Sequence, residues 1–110
     1  MQISNGEITS TFLGFDDHGI LTFALVVEGD GWGVSIGSYA LDEYDKKIGG
    51  RIPHPKSMSV IAEILNVVGV KKWEDLKGEF IRIEDYGPGR QVFKIGNLIE
   101  NRWLDFSEFF

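Results

Sequence analysis

Trp32-Gly33-Val34-Ser35-Ile36-Gly37-Ser38-Tyr39-Ala40-Leu41 alternates two kinds of residue with period two. That spacing sends side chains to opposite faces of a strand. One face carries Trp32, Val34, Ile36 and Ala40. The other carries Gly33, Ser35 and Gly37, then Tyr39 and Leu41. Glycine is usually avoided in strands, because it costs entropy and packs nothing. Two glycines and a serine on one face therefore predict a shallow trough, to be filled by a helix, another backbone or a ligand.

The chain before this stretch supplies two further strands. Glu7 to Phe15 is β-rich, with Ile8 and Phe12 read on one face and Leu13 and Phe15 on the other. Asp16-Asp17-His18-Gly19 has the chemistry of a turn. Ile20 to Glu28 is apolar on both faces, so it is predicted to lie inside the sheet. Gly29-Asp30-Gly31 then turns the chain into the glycine-bearing strand, completing a meander.

After it, Asp42 to Ser57 shows no apolar periodicity and reads as a long surface loop. Its segment Lys46 to Lys56 holds Lys46, Lys47, Arg51 and Lys56 and no acid. Met58 to Val68 is the one clear helix, stopped at Gly69. Met58, Ile61, Ala62, Leu65 and Val68 form a stripe that Val60, Ile64 and Val67 widen. An apolar arc that wide predicts cover on two sides. Val70 to Gly78 is a short helical turn, with Trp73 and Leu76 docking. Glu79 to Asp85 and Gln91 to Ile99 are two more strands, joined by a type II turn centred on Pro88-Gly89. Residues 103–110 form an aromatic tail. The β-β-β-α-β-β order predicts a single α+β domain: a twisted, mostly antiparallel sheet of about five strands packed on one long helix.

With 110 residues, 43% hydrophobic and 25% charged, the composition is that of one soluble globular domain. No apolar run approaches membrane-spanning length, and the N-terminus has no basic, apolar signal pattern. Cysteine is absent, which excludes disulfides and thiolate metal sites and fits a reducing cytoplasm. A net charge of -6 argues against broad nucleic-acid binding.

The phrases GEITSTFLGFDDHGILTFAL, GSYALDEYD, VIAEILNVVGVKKWEDLKGEFIRIE and IGNLIENRWLDF together resemble a family of small, poorly characterised accessory proteins of phages and prophages. The resemblance runs from about Ile3 to Phe106. It carries no catalytic motif. What it implies is a setting, the cytoplasm of an infected bacterial host. It also implies a role in binding and neutralising a host defence protein or its nucleotide signal.

Candidate chemistry is sparse. Asp16, Asp17 and His18, completed by His54, are possible metal ligands, but turn chemistry explains the first three. Glu79, Glu84 and Asp85 are acids on a strand whose alternation accounts for them. There is no nucleophile elbow and no P-loop, so neither enzyme activity nor a cofactor is predicted. The loop offers more. Gly49 and Gly50 can bare backbone N–H groups, Lys46, Lys47 and Arg51 supply charge, and Tyr39 and Tyr44 supply rings for stacking. The predicted partner is a small anionic ligand, a nucleotide foremost; the alternative is a host defence protein bound and blocked through the aromatic tail and the acidic surface. The wide helix predicts a homo-oligomer, with Val60, Ile64 and Val67 joined by Trp103 or Phe106 in a two-fold interface.

Overall fold

The computed structural model describes residues 1–110. Eight strands and one long helix follow in the order β1 (Gln2–Phe15), β2 (Leu21–Gly29), β3 (Trp32–Ala40), β4 (Asp42–Asp45), β5 (Gly50–Pro53), α1 (Ser57–Val68), β6 (Phe80–Asp85), β7 (Lys94–Asn97) and β8 (Trp103–Asp105). Short 3₁₀ turns at Trp73–Asp75 and Phe106–Glu108 complete the chain. Six strands form one antiparallel sheet in the order β3-β2-β1-β6-β7-β8. The architecture is α+β, and the meander β1-β2-β3 lies where the sequence put it.

β1 holds the sheet together because it is long enough to pair twice. Residues 2–7 pair with β6, and residues 7–15 pair with β2. A bulge between Ile8 and Ser10 separates the two halves. It adds one residue to the count, so strict alternation fails there. Ile8 points into the core, Phe12 points out, and the face shared by Ile8 and Phe12 in the sequence reading does not exist.

A second bulge changes the deciding stretch in the same way. Thr22 pairs with Ala40, but Ala24 pairs with Gly37. Gly37 and Ser38 both have positive φ, 108° and 64°. The Thr22 hydroxyl donates to the Tyr39 carbonyl at 2.7 Å and pins the bulge. Tyr39 and Leu41 thereby join Trp32, Val34 and Ile36 on the inner side. The gap at Gly37 is filled from within: a Cβ there would stand 2.7 Å from the Phe23 ring and 2.9 Å from its carbonyl oxygen. The trough expected on this strand is thus closed at Gly37 by Phe23 of the core, while Gly33 and Ser35 stay exposed.

One core lies between the inner sheet face and α1. Ile8, Phe23, Leu25, Val27, Ile36, Ile81, Ile83, Ile95 and Leu104 meet Val60, Ile61, Ile64, Val67 and Val68. Met58 and Ala62, placed on the inward stripe from the sequence, are exposed. The buried arc is centred instead on Val60, Ile64 and Val67, and it is the width that one sheet covers. The helix C-terminus is tied to the sheet by side chains. Asn97 Nδ2 donates to the Val67 carbonyl at 2.9 Å, and Arg102 Nη1 donates to the Asn66 carbonyl at 2.7 Å. These satisfy carbonyls that the last helical turn leaves without partners.

The predicted fifth strand, Gln91 to Ile99, is shorter, and the tail contributes β8 beyond it. The tail folds back: Phe106 is fully buried, against Phe23 at 5.5 Å between ring centroids. Residues 42–53 are a hairpin rather than a loop. The hairpin stands apart from the main sheet and buries little, so its strands show no apolar alternation to read.

Candidate functional site

In the basic segment the arginine is already engaged. Arg51 Nε donates to Asp42 Oδ1 at 2.9 Å, and its Nη2 donates to the Asp42 carbonyl at 3.0 Å and lies 2.8 Å from Oδ1. Asp42 is buried at the hairpin base and also accepts the Leu21 N–H at 3.0 Å. The Arg51 hydrogen bond, aided by its charge, holds the Asp42 carboxyl below its usual value. The tip is closed by its own backbone: Lys47 N–H donates to Asp45 Oδ1 and Gly49 N–H to the Asp45 carbonyl. Gly50 pairs with Asp45 in the ladder. Lys46, Lys47 and Tyr44 remain exposed. Of the phosphate nest read from Lys46, Lys47, Gly49, Gly50 and Arg51, the Arg51 guanidinium and the Gly49 N–H are held within the hairpin, while the two lysine side chains form no ion pair or hydrogen bond. Arg51 holds the fold in place of a ligand.

Tyr39 is also drawn inward. Its ring stacks on Phe110, with centroids 4.6 Å apart and planes 3° apart, and lies 5.7 Å from Phe106. Its hydroxyl accepts from Gln91 Nε2 at 3.2 Å. Burial foremost, then the nearby Asp105 charge, raises its pKa.

The two-fold patch meets a similar correction. Val60, Ile64, Val67 and Phe106 are buried within the single chain, so they offer no surface to a partner. Trp103 stays half-buried on the outer sheet face. The Arg82 guanidinium lies 4.8 Å from its ring centroid, and Gly96 makes room beneath it. Asp16 acts as a turn former: its Oδ1 accepts the N–H groups of His18 and Ile20 at 2.9 and 3.0 Å. His54 Nδ1 accepts the Lys56 N–H at 3.1 Å. No three of the chain's His, Asp and Glu side chains are grouped to hold a metal. No helix is long and apolar enough to cross a membrane.

A cleft that unites residues far apart in the sequence lies elsewhere. A cleft of about 310 Å³ opens between the start of β3 and the β6–β7 connection. Trp32, Val34, Ile83 and Val92 give it apolar walls; Asp85, Gly87, Pro88, Gly89 and Arg90 give it a polar rim. Its volume is at the small end of the range for small-molecule sites.

Trp32 is set there by the residues beneath it. It pairs with Gly29 on β2, and Glu7 with Glu28 brings Gly6 of β1 alongside. A Cβ at Gly29 would overlap the indole, and a Cβ at Gly6 would stand 2.8 Å from its Cη2. Two glycines in adjacent strands thus form a floor on which the ring lies, a known way to compensate strand glycines. The rim is a tight turn. Arg90 N–H donates to the Gly87 carbonyl at 3.2 Å, Gly89 has φ of 73°, and Asp85 Oδ1 accepts the Gly87 N–H at 2.9 Å. This is the type II turn predicted at Pro88-Gly89. The Arg90 guanidinium has no ion pair or hydrogen bond within the chain, and the Gly89 N–H donates to no group of it.

Trp32, Asp85 and Arg90 were each visible in the sequence, but not as a set. Asp85 and Arg90 lie more than fifty positions after Trp32, and only the sheet order brings them together. The row of glycines was the available signal, since Gly29 stands directly opposite Trp32 across a two-residue turn. Comparison with family models, with curated proteins and with solved structures returned no match.

Proposed function

We propose that this protein is a binding module for a small anionic ligand with a flat ring, a nucleotide foremost, taken up in the cleft of Trp32 and Arg90. One observation carries the reading: an indole laid on a glycine floor lines the same cleft as an arginine with no partner in the chain. An aromatic face accepts a base by stacking. A guanidinium binds phosphate with bidentate geometry, and the Gly89 N–H adds a donor to an anion at the same turn. Asp85 supplies an acceptor for the amino group of a base.

Nothing in the cleft pairs a nucleophile with a base, so the reading is capture without turnover. The phage setting implied by the sequence resemblance makes a host nucleotide signal the first ligand class to test, with sequestration as the role.

Thermal unfolding with a panel of mono-, di- and cyclic nucleotides tests this. A ligand at a hundred times its Kd adds about 2.7 kcal/mol to stability, which for a domain of this size raises Tm by roughly ten degrees or more. Arg90→Ala and Trp32→Leu are expected to abolish that shift, while Lys46→Ala with Lys47→Ala is expected to preserve it. The ligand recovered after denaturation is expected intact. No shift with any nucleotide, or a shift lost in the lysine variants and kept in Arg90→Ala, overturns the assignment.

A further inference from the structure

A second groove, of about 360 Å³, lies at the β1–β2 hairpin arm and is lined by Phe12, Phe15, Asp16, Asp17, Ala24 and Ser38. Phe12 is 43% exposed and Phe15 69% exposed, so two large apolar side chains stand uncovered along the groove. Clustered exposed apolar residues mark contact surfaces more often than isolated ones do.

The end of the groove is acidic. Asp16 is held by the turn through Oδ1, and the Asp17 carboxylate forms neither an ion pair nor a hydrogen bond. His18 is exposed in the same turn. The β3 bulge brings Ser38 to the opposite wall.

We infer that this groove docks an arginine or lysine side chain of a basic protein surface, with the aliphatic stem on Phe12 and Phe15 and the cationic head at Asp17 and Asp16. One side-chain type matches both halves of the groove. A long basic side chain lays its methylenes on apolar surface while its head stays polar, and a phenyl face attracts the cation. Arginine suits it better than lysine, because its planar head stacks and also forks onto a carboxylate. The chain's net charge of -6 favours approach of a basic partner over a second copy of itself. This inference stands on residues separate from the Trp32 cleft.

The test titrates the full chain into a fluorescein-labelled tetra-arginine peptide at low salt, following anisotropy, with amide chemical shifts to locate the contact. Saturable binding is expected, with the largest shifts at Phe12, Phe15, Asp17 and Ser38. Phe15→Ser and Asp17→Asn are each expected to weaken it about tenfold, the loss of one cation–π or ion-pair contact. Both positions are exposed, so circular dichroism is expected to show an unchanged fold. Tetra-lysine is expected to bind more weakly. Equal weakening by removal of distant acids such as Glu63 overturns the proposal, since attraction would then be general. So does equal binding of a neutral apolar peptide, or a dimer by light scattering that Phe15→Ser dissolves.

Discussion

The buried carboxylate of Asp42 accepts from both Arg51 and the Leu21 N–H, so it joins the hairpin to β2. Removing the arginine leaves that carboxylate inside without its cation. Arg51→Ala is expected to cost about 2–3 kcal/mol, below the full value for a buried pair because Arg51 is one-third exposed. Arg51→Lys is expected to fall between, having no fork. Urea unfolding measures both. The pH dependence has a definite sign. The folded-state pKa of Asp42 lies below its ordinary 3.8, so its contribution is full above about pH 4 and is lost as pH falls through the folded value. Asp42→Asn is expected to lower stability at neutral pH and to flatten the acid limb of the stability curve. The same scale explains why Arg51 misled the sequence reading. Sequence shows a cation among glycines; only the fold shows that an acid nine positions earlier already holds it.

Elements were legible where apolar periodicity was unbroken, and misread where one extra residue entered. α1, the β1–β2–β3 meander and the Pro88-Gly89 turn follow from local chemistry. The bulges at Thr9 and at Gly37-Ser38 do not, because each reverses the parity of everything after it. Gly37 shows the reason for its bulge in its surroundings. Gly37→Ala is expected to destabilise by about 2 kcal/mol or more, from positive φ together with contact on Phe23. Ser35→Ala, exposed on the same strand, is expected to stay within about 0.5 kcal/mol. The helix face yields to a paired comparison. Ile64→Ala is expected to cost about 2–5 kcal/mol, while Met58→Ala, exposed on the opposite side, is expected to be near neutral. Equal costs at the two helix positions would return the inward stripe to Met58.

At the scale of the whole molecule, the question is what closes the core. α1 covers one part of the inner sheet face, and the chain end covers the rest. β8 extends the sheet edge, its Leu104 is buried, and Phe106 packs against both Phe23 and Tyr39. The Asp105 carboxylate then accepts the Ser107 N–H at 2.9 Å and starts the final turn. Tail and helix both read as surplus apolar surface in the sequence, and both are taken up on the inner sheet face, the helix in the common core and Phe106 against Phe23 and Tyr39. A chain that covers its own helix has no need of a second subunit there, and light scattering at micromolar concentration is expected to give 12.4 kDa. Deletion of residues 106–110 is the decisive variant. It uncovers Phe23 and Tyr39 and removes a fully buried phenylalanine, a change worth about 3–5 kcal/mol in cores. The expected outcome is a chain with a lower unfolding midpoint that associates through the opened face. A shortened chain that stays monomeric with its midpoint unchanged would show that the aromatic tail is dispensable to the core.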